Sequence, residues 1–322
     1  MKKRVLAVML LAFSAFCLLS GCAKPPAKET ERERIQVIAT IFPQYDFVRQ
    51  IAGELVELRM LLKPGVETHA FEPTPQDIIA IQNCDVFIYT GGESDAWVRD
   101  VLSSLDAPQL RVVSLMEAVE VLEEETVEGM QAEADELEDH AHDGDEAEYD
   151  EHVWTLPVNA IAIAASIADA LCEADGKNAE TYRANLAVYT EALHGLDEAF
   201  KGVVEGAKRS KLVFGDRFAL RYFTEQYGLS YAAAFPGCAG ETEASAATIA
   251  YLIDTVKREG IPVVLYLELS SPNIANAVCE GAGAVAVQYN ACHNLTEEDF
   301  SKGETYLTLM QKNLESLRMA LN

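Results

Sequence analysis

Two blocks of alternating sequence pattern constrain the fold more than any other feature of this chain. Short apolar runs alternate with amphipathic stretches over residues 36–114, and the same alternation returns over residues 211–288. This pattern is typical of βα units that build a parallel sheet. The apolar runs predict strands at 36–40, 56–62, 86–90, 111–114, 211–214, 229–235, 263–268 and 284–288. We therefore expect two α/β lobes.

The segment between the two blocks predicts helices. Residues 157–172 and 179–207 carry no strand signal, and apolar side chains recur in the second stretch at spacings of three and four: Leu186, Tyr189, Leu193, Leu196 and Phe200. We predict two doubly wound parallel-sheet lobes, at 35–156 and 209–322, joined by a helical bridge at 157–208. In the first lobe, Thr74 before Pro75 predicts a helix that runs to about Asn83.

The first 34 residues predict export and a membrane tether. Lys2, Lys3 and Arg4 precede an apolar run at 5–19, which is shorter than a membrane span and ends before two prolines. Residues 1–22 are therefore predicted to be a secretory signal. Residues 19–22 resemble a bacterial lipobox, which implies that Cys22 carries lipid and holds the protein on the outside of the cell membrane. Residues 23–34 are predicted to be a solvated tether.

Charge and motif content exclude several classes of function. The chain has 52 acidic and 25 basic residues, a net charge of −27, so it would repel phosphate backbones and nucleic acid is excluded as a partner. No glycine-rich phosphate motif and no Gly-x-Ser-x-Gly elbow occurs in it. Residues 117–151 hold seventeen acidic residues and no Lys or Arg, which predicts a loop within the first lobe.

Two cysteines lie in predicted loops and are open to more than one role. Cys238 and Cys292 are candidates for a disulfide or for metal ligation. An exported protein meets oxidising conditions, which favours the disulfide.

The six histidines include one in a loop at a predicted strand end, where ligand sites of α/β sheets lie. Residues 64–77, which contain His69, match the pattern Pro-Gly-x-x-x-His-x-Phe-Glu-Pro-Thr-Pro-Gln-Asp at every named position. With residues 85–92 and 151–154, this stretch resembles the zinc- and manganese-binding solute receptors of ABC importers, a family that includes adhesin-type lipoproteins. The resemblance covers nearly all of the chain after the tether, and it implies that His69 and His152 are metal ligands.

The second lobe departs from the family pattern. Gly215 stands where the resemblance leads us to expect a histidine ligand, and residues 287–293 contain no aspartate. His293 follows the last predicted strand of this lobe and is predicted to restore a third imidazole. Glu268, at another strand end, is predicted to be the fourth ligand of a tetrahedral site, with Glu243 or Cys292 as substitutes.

The predicted ligand set indicates the cargo. Three imidazoles with one carboxylate favour Zn²⁺, and Mn²⁺ is the alternative within the same family. His140 and His142, in the acidic loop, are interpreted either as a metal-collecting loop like that of zinc-specific family members or as part of a solvated acidic face.

We expect a monomeric receptor, not an enzyme, that captures the ion between its lobes and delivers it to an ABC importer permease. Two rival hypotheses are a zinc hydrolase, for which no His-Glu-x-x-His motif is present, and a surface adhesin, which would use the same lipid tether.

Overall fold

Two four-stranded sheets, each with all its strands parallel, form the framework of the computed structural model, which describes residues 33–66, 71–105, 107–131, 148–237, 239 and 243–322. The first sheet contains β1 (Gln36–Ala39), β2 (Glu57–Met60), β3 (Val86–Tyr89) and β4 (Arg111–Ser114) in the order β2-β1-β3-β4. The second contains β5 (Lys211–Arg217), β6 (Ser230–Phe235), β7 (Val263–Leu267) and β8 (Val285–Tyr289) in the order β6-β5-β7-β8. All eight predicted strands are present, and the predicted two-lobed α/β class is confirmed.

Helices connect and cover the strands. In the described part of the first lobe they are α1 (Phe42–Ala52), α2 (Pro75–Asn83) and α3 (Ala96–Ser104), and two long helices follow, α4 (Pro157–Ala174) and α5 (Ala179–Glu205). The second lobe adds α6 (Arg221–Tyr227), α7 (Ala246–Glu259), α8 (Asn273–Ala282), α9 (Glu297–Lys302) and α10 (Tyr306–Leu321). The predicted start of α2 is confirmed: the Thr74 hydroxyl accepts from Asp77 N, and the Asp77 carboxylate accepts from Thr74 N.

Each sheet is covered on both faces, because alternate residues of a strand point to opposite sides. In the first lobe, Ile38 and Phe87 lie in an outer core with residues of α2 and α3, whereas Val37 and Ile88 face an inner core. In the second lobe, Val213 and Val264 lie in an outer core with residues of α7 and α8. Leu212 and Leu265 face the same inner core that the first lobe uses. The two lobes therefore share one apolar interior.

The long helices α4 and α5 run through this shared interior. Helix α5 packs against α1, α4 and α10, and it buries the predicted stripe residues Leu193, Leu196 and Phe200. Helix α4 is the one described helix that is long and apolar enough to cross a membrane, with a mean hydropathy of 1.3. One of its faces, which includes Ile163 and Ile167, is buried against the protein core. A buried helix of a folded core has the same composition as a membrane span, so this helix is explained by its packing.

The strand order places a switch point in each sheet. In the first sheet the chain runs from β1 to β2 on one side and from β3 to β4 on the other, so the switch point lies between β1 and β3. In the second sheet the corresponding point lies between β5 and β7. Ligands of open α/β sheets bind beyond the carboxyl ends of the strands at such points. The candidate site residues follow the strand ends in both lobes.

Candidate metal centre

The rings of His152 and His293 meet although 140 residues separate them in the sequence. Their centroids lie 4.6 Å apart at an interplanar angle of 79°. The Trp154 ring lies beside both, with its centroid 5.7 Å from that of His152 and 5.1 Å from that of His293. Both imidazoles line a cavity of about 30 Å³. This space accommodates an ion or a water molecule and is far smaller than the pockets that hold organic ligands.

His152 is held by the residues on either side of it. The Asp150 carboxylate accepts a hydrogen bond from His152 N at 2.8 Å and lies 3.1 Å from His152 Nδ1. The His152 carbonyl accepts from Thr155 N and from its hydroxyl, which fixes the following turn. A carboxylate on one ring nitrogen leaves the other nitrogen directed at a metal, as metal-binding proteins often arrange.

Asp150 also governs the protonation of this ring. Burial alone would lower the pKa of His152. The charge and hydrogen bond of Asp150, together with the charges of Glu151 and Glu124, outweigh burial and hold the pKa above its ordinary value of 6.5. A proton therefore competes with any cation for His152 more strongly than it would for an ordinary imidazole.

The loop that carries His293 is held through its backbone. The Glu268 carboxylate accepts from Ala291 N at 2.6 Å and from His293 N at 3.0 Å. Trp154 Nε1 donates to the Ala291 carbonyl at 2.7 Å, and Phe42 N donates to the His293 carbonyl at 3.3 Å. Groups from both lobes therefore fix the position of this imidazole.

Two carboxylates line the cavity with the histidines. Glu151 accepts from Ser94 N at 2.8 Å. Asp95 accepts from Thr90 N at 2.7 Å and from Gly91 N at 3.2 Å. Burial raises the pKa of Asp95 to about 6, the two backbone hydrogen bonds oppose this rise, and the charge of Glu151 adds to it. The cavity therefore carries negative charge at neutral pH, which favours a cation.

Several predicted site residues lie outside the described residues: Cys22, His69, His140, His142 and Cys238. The neighbourhood of His69 is described on both sides. Phe71, two residues later, lines the cavity and packs edge-on against Trp97. Among the described residues, no group of three or more His, Cys, Asp or Glu side chains converges on one point.

Glu268 and Glu243, the predicted carboxylate ligands, lie outside the lining of the cavity. Glu268 is half-buried, and both of its oxygens accept backbone N–H groups of the His293 loop. Burial, with the nearby charge of Asp216, raises the pKa of Glu268 to about 8, and the backbone hydrogen bonds oppose the rise. Glu243 is exposed, and its carbonyl accepts from Gln131. Neither carboxylate lines the cavity.

The structure bears on the predicted disulfide through Cys292 alone, because Cys238 lies outside the described residues. Cys292 is a free thiol with no exposed surface, and its side chain belongs to the shared inner core. Its backbone lies in the left-handed region, with φ of 63°. Burial raises the pKa of this thiol well above its ordinary value, which disfavours the thiolate.

Gly215 has a steric reason to be glycine. A Cβ added there would lie 2.5 Å from Ala275 Cα and 2.6 Å from Ala275 N, in the backbone of α8. Any side chain at 215 would have to displace that helix. The second lobe therefore cannot supply an imidazole from this position.

Sequence reasoning missed Asp150 and Asp95 as parts of the site. Asp150 stands two residues before His152, and a carboxylate so close to a predicted ligand is the one sequence signal of its role. The many acidic residues around Asp150 made this signal hard to recognise. Asp95 enters the cavity only through the packing of the loop after β3, which no local pattern indicates.

Comparison with known proteins gives relatives over nearly the whole chain. The zinc-binding lipoprotein AdcA of Streptococcus pneumoniae is 31% identical over 308 residues, which are 96% of this chain and 60% of that protein. The high-affinity zinc uptake system protein ZnuA of Bacillus subtilis is 27% identical over 311 residues, 96% of this chain and 95% of that protein. This chain thus spans about three-fifths of the length of the first of these curated relatives.

A solved structure and a family model agree with these relatives. The crystal structure of the Zn(II)-bound ZnuA-like domain of Streptococcus pneumoniae AdcA has a TM-score of 0.73 and 30% identity, and the match covers 89% of this chain and 99% of that one. The family model described as ZnuA, zinc-uptake complex component A, periplasmic, matches residues 37–320. Since that match takes in both lobes and the bridge between them, the chain belongs to the ZnuA family.

Proposed function

We propose that this chain is an extracytoplasmic receptor that captures Zn²⁺ between its two lobes and passes it to the permease of an ABC importer. The observation that carries the proposal is the meeting of His152 and His293 in a cavity of about 30 Å³ lined by two carboxylates. A site of this size and charge suits a dehydrated cation. The names of the relatives, zinc-binding lipoprotein and zinc uptake protein, support zinc as that cation.

The proposed ligands are His69, His152 and His293. The position of Phe71 at the cavity supports His69 as the third imidazole, since only one residue separates the two. Imidazole donors favour Zn²⁺ over Mn²⁺, which prefers oxygen-rich coordination. Glu268 stays a predicted fourth ligand, but its contacts support a second role as the anchor of the His293 loop.

Titration of the metal-free full chain with Zn²⁺ against a chromogenic chelator tests the proposal. We expect one ion per chain, a loss of affinity of at least about a hundredfold in His152→Ala and His293→Ala, and weaker binding of Mn²⁺. His194→Ala removes an exposed imidazole on α5 and serves as the matched control, with unchanged affinity. Retention of wild-type affinity in His293→Ala would contradict the proposed site.

The cellular setting is part of the same proposal. The lipobox at 19–22 supports removal of the signal, lipidation of Cys22 and display on the outer side of the cell membrane. Cys22→Ser is expected to release the receptor into the medium, which fractionation of expressing cells would measure. The receptor role involves no bond making or breaking, so no turnover of ester or peptide substrates is expected.

A further inference from the structure

Asn294 directly follows His293 and bonds to a loop of the other lobe. Its side-chain amide donates to the Lys63 carbonyl at 2.8 Å and to the Val66 carbonyl at 2.9 Å. Its Oδ1 accepts from Leu295 N at 2.9 Å. The residue has no exposed surface. Every polar atom of this side chain is therefore committed to a backbone group.

The two acceptor carbonyls lie in the turn that begins the His69 loop. Gly65, which has φ of 79° in this turn, donates from its backbone N to the Leu295 carbonyl at 2.8 Å. Three hydrogen bonds thus tie residues 63–66 of the first lobe to residues 294–295 of the second. Val66 precedes His69 by three residues in the chain, and Asn294 is adjacent to His293.

Burial of Asn294 makes this connection specific. Lys63 and Val66 are exposed, so water replaces the donor at their carbonyls, but the buried amide keeps its own desolvation cost wherever it loses an acceptor. Only an amide can supply two donors from one position to two separate carbonyls and still accept a third bond. Aspartate has the same shape but no donor in its ionised form, so it would repel both carbonyls.

We propose that Asn294 is a positioning residue for metal capture, which fixes the turn at residues 63–66 of the first lobe against the loop of His293 across the seam between the lobes. The inference rests on the proposed function. The chain that leads into His69 is then anchored at residue 66 before the ion arrives, so binding has less of the chain to order. Pre-arranged ligands bind more tightly because less conformational entropy is lost on binding.

The test compares Asn294→Ala, Asn294→Asp and a matched control, Asn185→Ala, in the full chain. The control removes an amide on α5 that also donates to a backbone carbonyl, that of Ile51 at 2.8 Å. Zn²⁺ affinity is measured by chelator competition. Hydrogen exchange of residues 63–66 and 71–73 is measured in the metal-free protein. Asn294→Ser, whose hydroxyl can still donate one bond, replaces Asn294→Ala if circular dichroism shows that the latter is unfolded.

We expect both Asn294 variants to lose Zn²⁺ affinity by roughly tenfold, the effect of about two lost hydrogen bonds, and Asn294→Ser to lose less. Exchange at 63–66 is expected to accelerate in these variants, and Asn185→Ala should stay within twofold of wild type in affinity. Wild-type affinity in both Asn294 variants overturns the inference. A loss in Asn294→Ala alone also overturns it, because the side-chain volume would then be the cause. If the wild-type chain itself binds no Zn²⁺, the proposed function is overturned as well. This outcome is distinct from failure of the inference, because it is seen in the wild-type protein and not only in the variants.

Discussion

Asp95→Asn is predicted to stabilise the metal-free protein while it weakens capture of the ion. Asp95 accepts both of its backbone hydrogen bonds through one oxygen, Oδ2, from Thr90 N and Gly91 N. An asparagine in the same rotamer keeps this acceptor and removes the charge. The substitution therefore separates the electrostatic role of the residue from its hydrogen-bonding role.

The size of the effect follows from the raised pKa of Asp95. The carboxyl has an ordinary value of 3.8 and a value of about 6 in the folded protein. At 1.36 kcal/mol for each pKa unit, holding the ionised form in the fold costs about 3 kcal/mol at most. We expect a gain of about 1 to 3 kcal/mol in the free energy of unfolding, since the substitution also alters local packing.

The sign of the pH dependence is fixed by the direction of the shift. Below pH 3.8 the carboxyl is protonated in the folded and unfolded states, so it carries no penalty. Between pH 3.8 and about 6 the unfolded chain ionises first, and the folded state loses stability as the pH rises. Above about pH 6 the whole penalty is present. The gain from Asp95→Asn is therefore full at pH 7.5 and small at pH 4.

Urea unfolding of metal-free protein, with a chelator present, measures this gain at both pH values. Asp100→Asn removes an exposed carboxylate from α3, the helix that Asp95 directly precedes, and should change stability little at either pH. Zn²⁺ affinity of Asp95→Asn is expected to fall several-fold at pH 7.5, because a negative charge beside the cavity is lost. A gain as large at pH 4 as at pH 7.5 would refute the electrostatic reasoning, and so would a loss of stability at pH 7.5.

Three further predictions concern packing around the site. In a thermal unfolding assay, Gly215→Ala should destabilise the protein by about 3 kcal/mol or more, since the added Cβ meets the backbone of α8. The control Gly202→Ala, which has open space around it, should be neutral or stabilising. Trp154→Phe leaves the buried Ala291 carbonyl without its Nε1 donor, so we expect a loss of about 1 to 2 kcal/mol and weaker Zn²⁺ binding by calorimetry; unchanged binding would count against this contact. The Cys292 thiol should resist labelling by a thiol reagent until the protein is unfolded, and rapid labelling of the native protein, followed by mass spectrometry of the peptide, would contradict its burial.

The central strands β1, β3, β5 and β7 could be predicted from the sequence because they are largely buried on both faces. Buried parallel strands are continuous apolar runs, which stand out against amphipathic helices. The prediction ended β5 at residue 214, whereas the strand continues to Arg217. Residues 215–217 are glycine and two charged residues, and the ladder with β6 shifts register there. The extension was hidden because a glycine and two charged residues end the apolar run that predicts a buried strand.

His152 and His293 could be singled out by residue type, and the structure brings their rings together, but the roles of other groups could not be predicted. A carboxylate at the end of a strand can ligate an ion or can hold the backbone of a ligand loop, and both functions use the same residue at the same position. Glu268 is engaged by the N–H groups of Ala291 and His293, and this is a property of the loop conformation. The burial of the Cys292 thiol in the inner core is likewise a property of the folded loop, which its place in the sequence does not reveal.

Gly215 shows why position 215 of the second lobe cannot supply an imidazole to the cavity. Val213, two residues earlier on β5, faces the outer core, and a side chain at 215 would point to the same side, into the backbone of α8. A histidine introduced at 215 would therefore meet Ala275 rather than the cavity. The loop after β8 has no such obstruction, and it brings His293 against His152 while Glu268 and Trp154 hold its backbone. The open face of a strand end thus decides from which position a lobe can supply a ligand. The match of residues 64–77 to the family pattern does not determine that position in the second lobe.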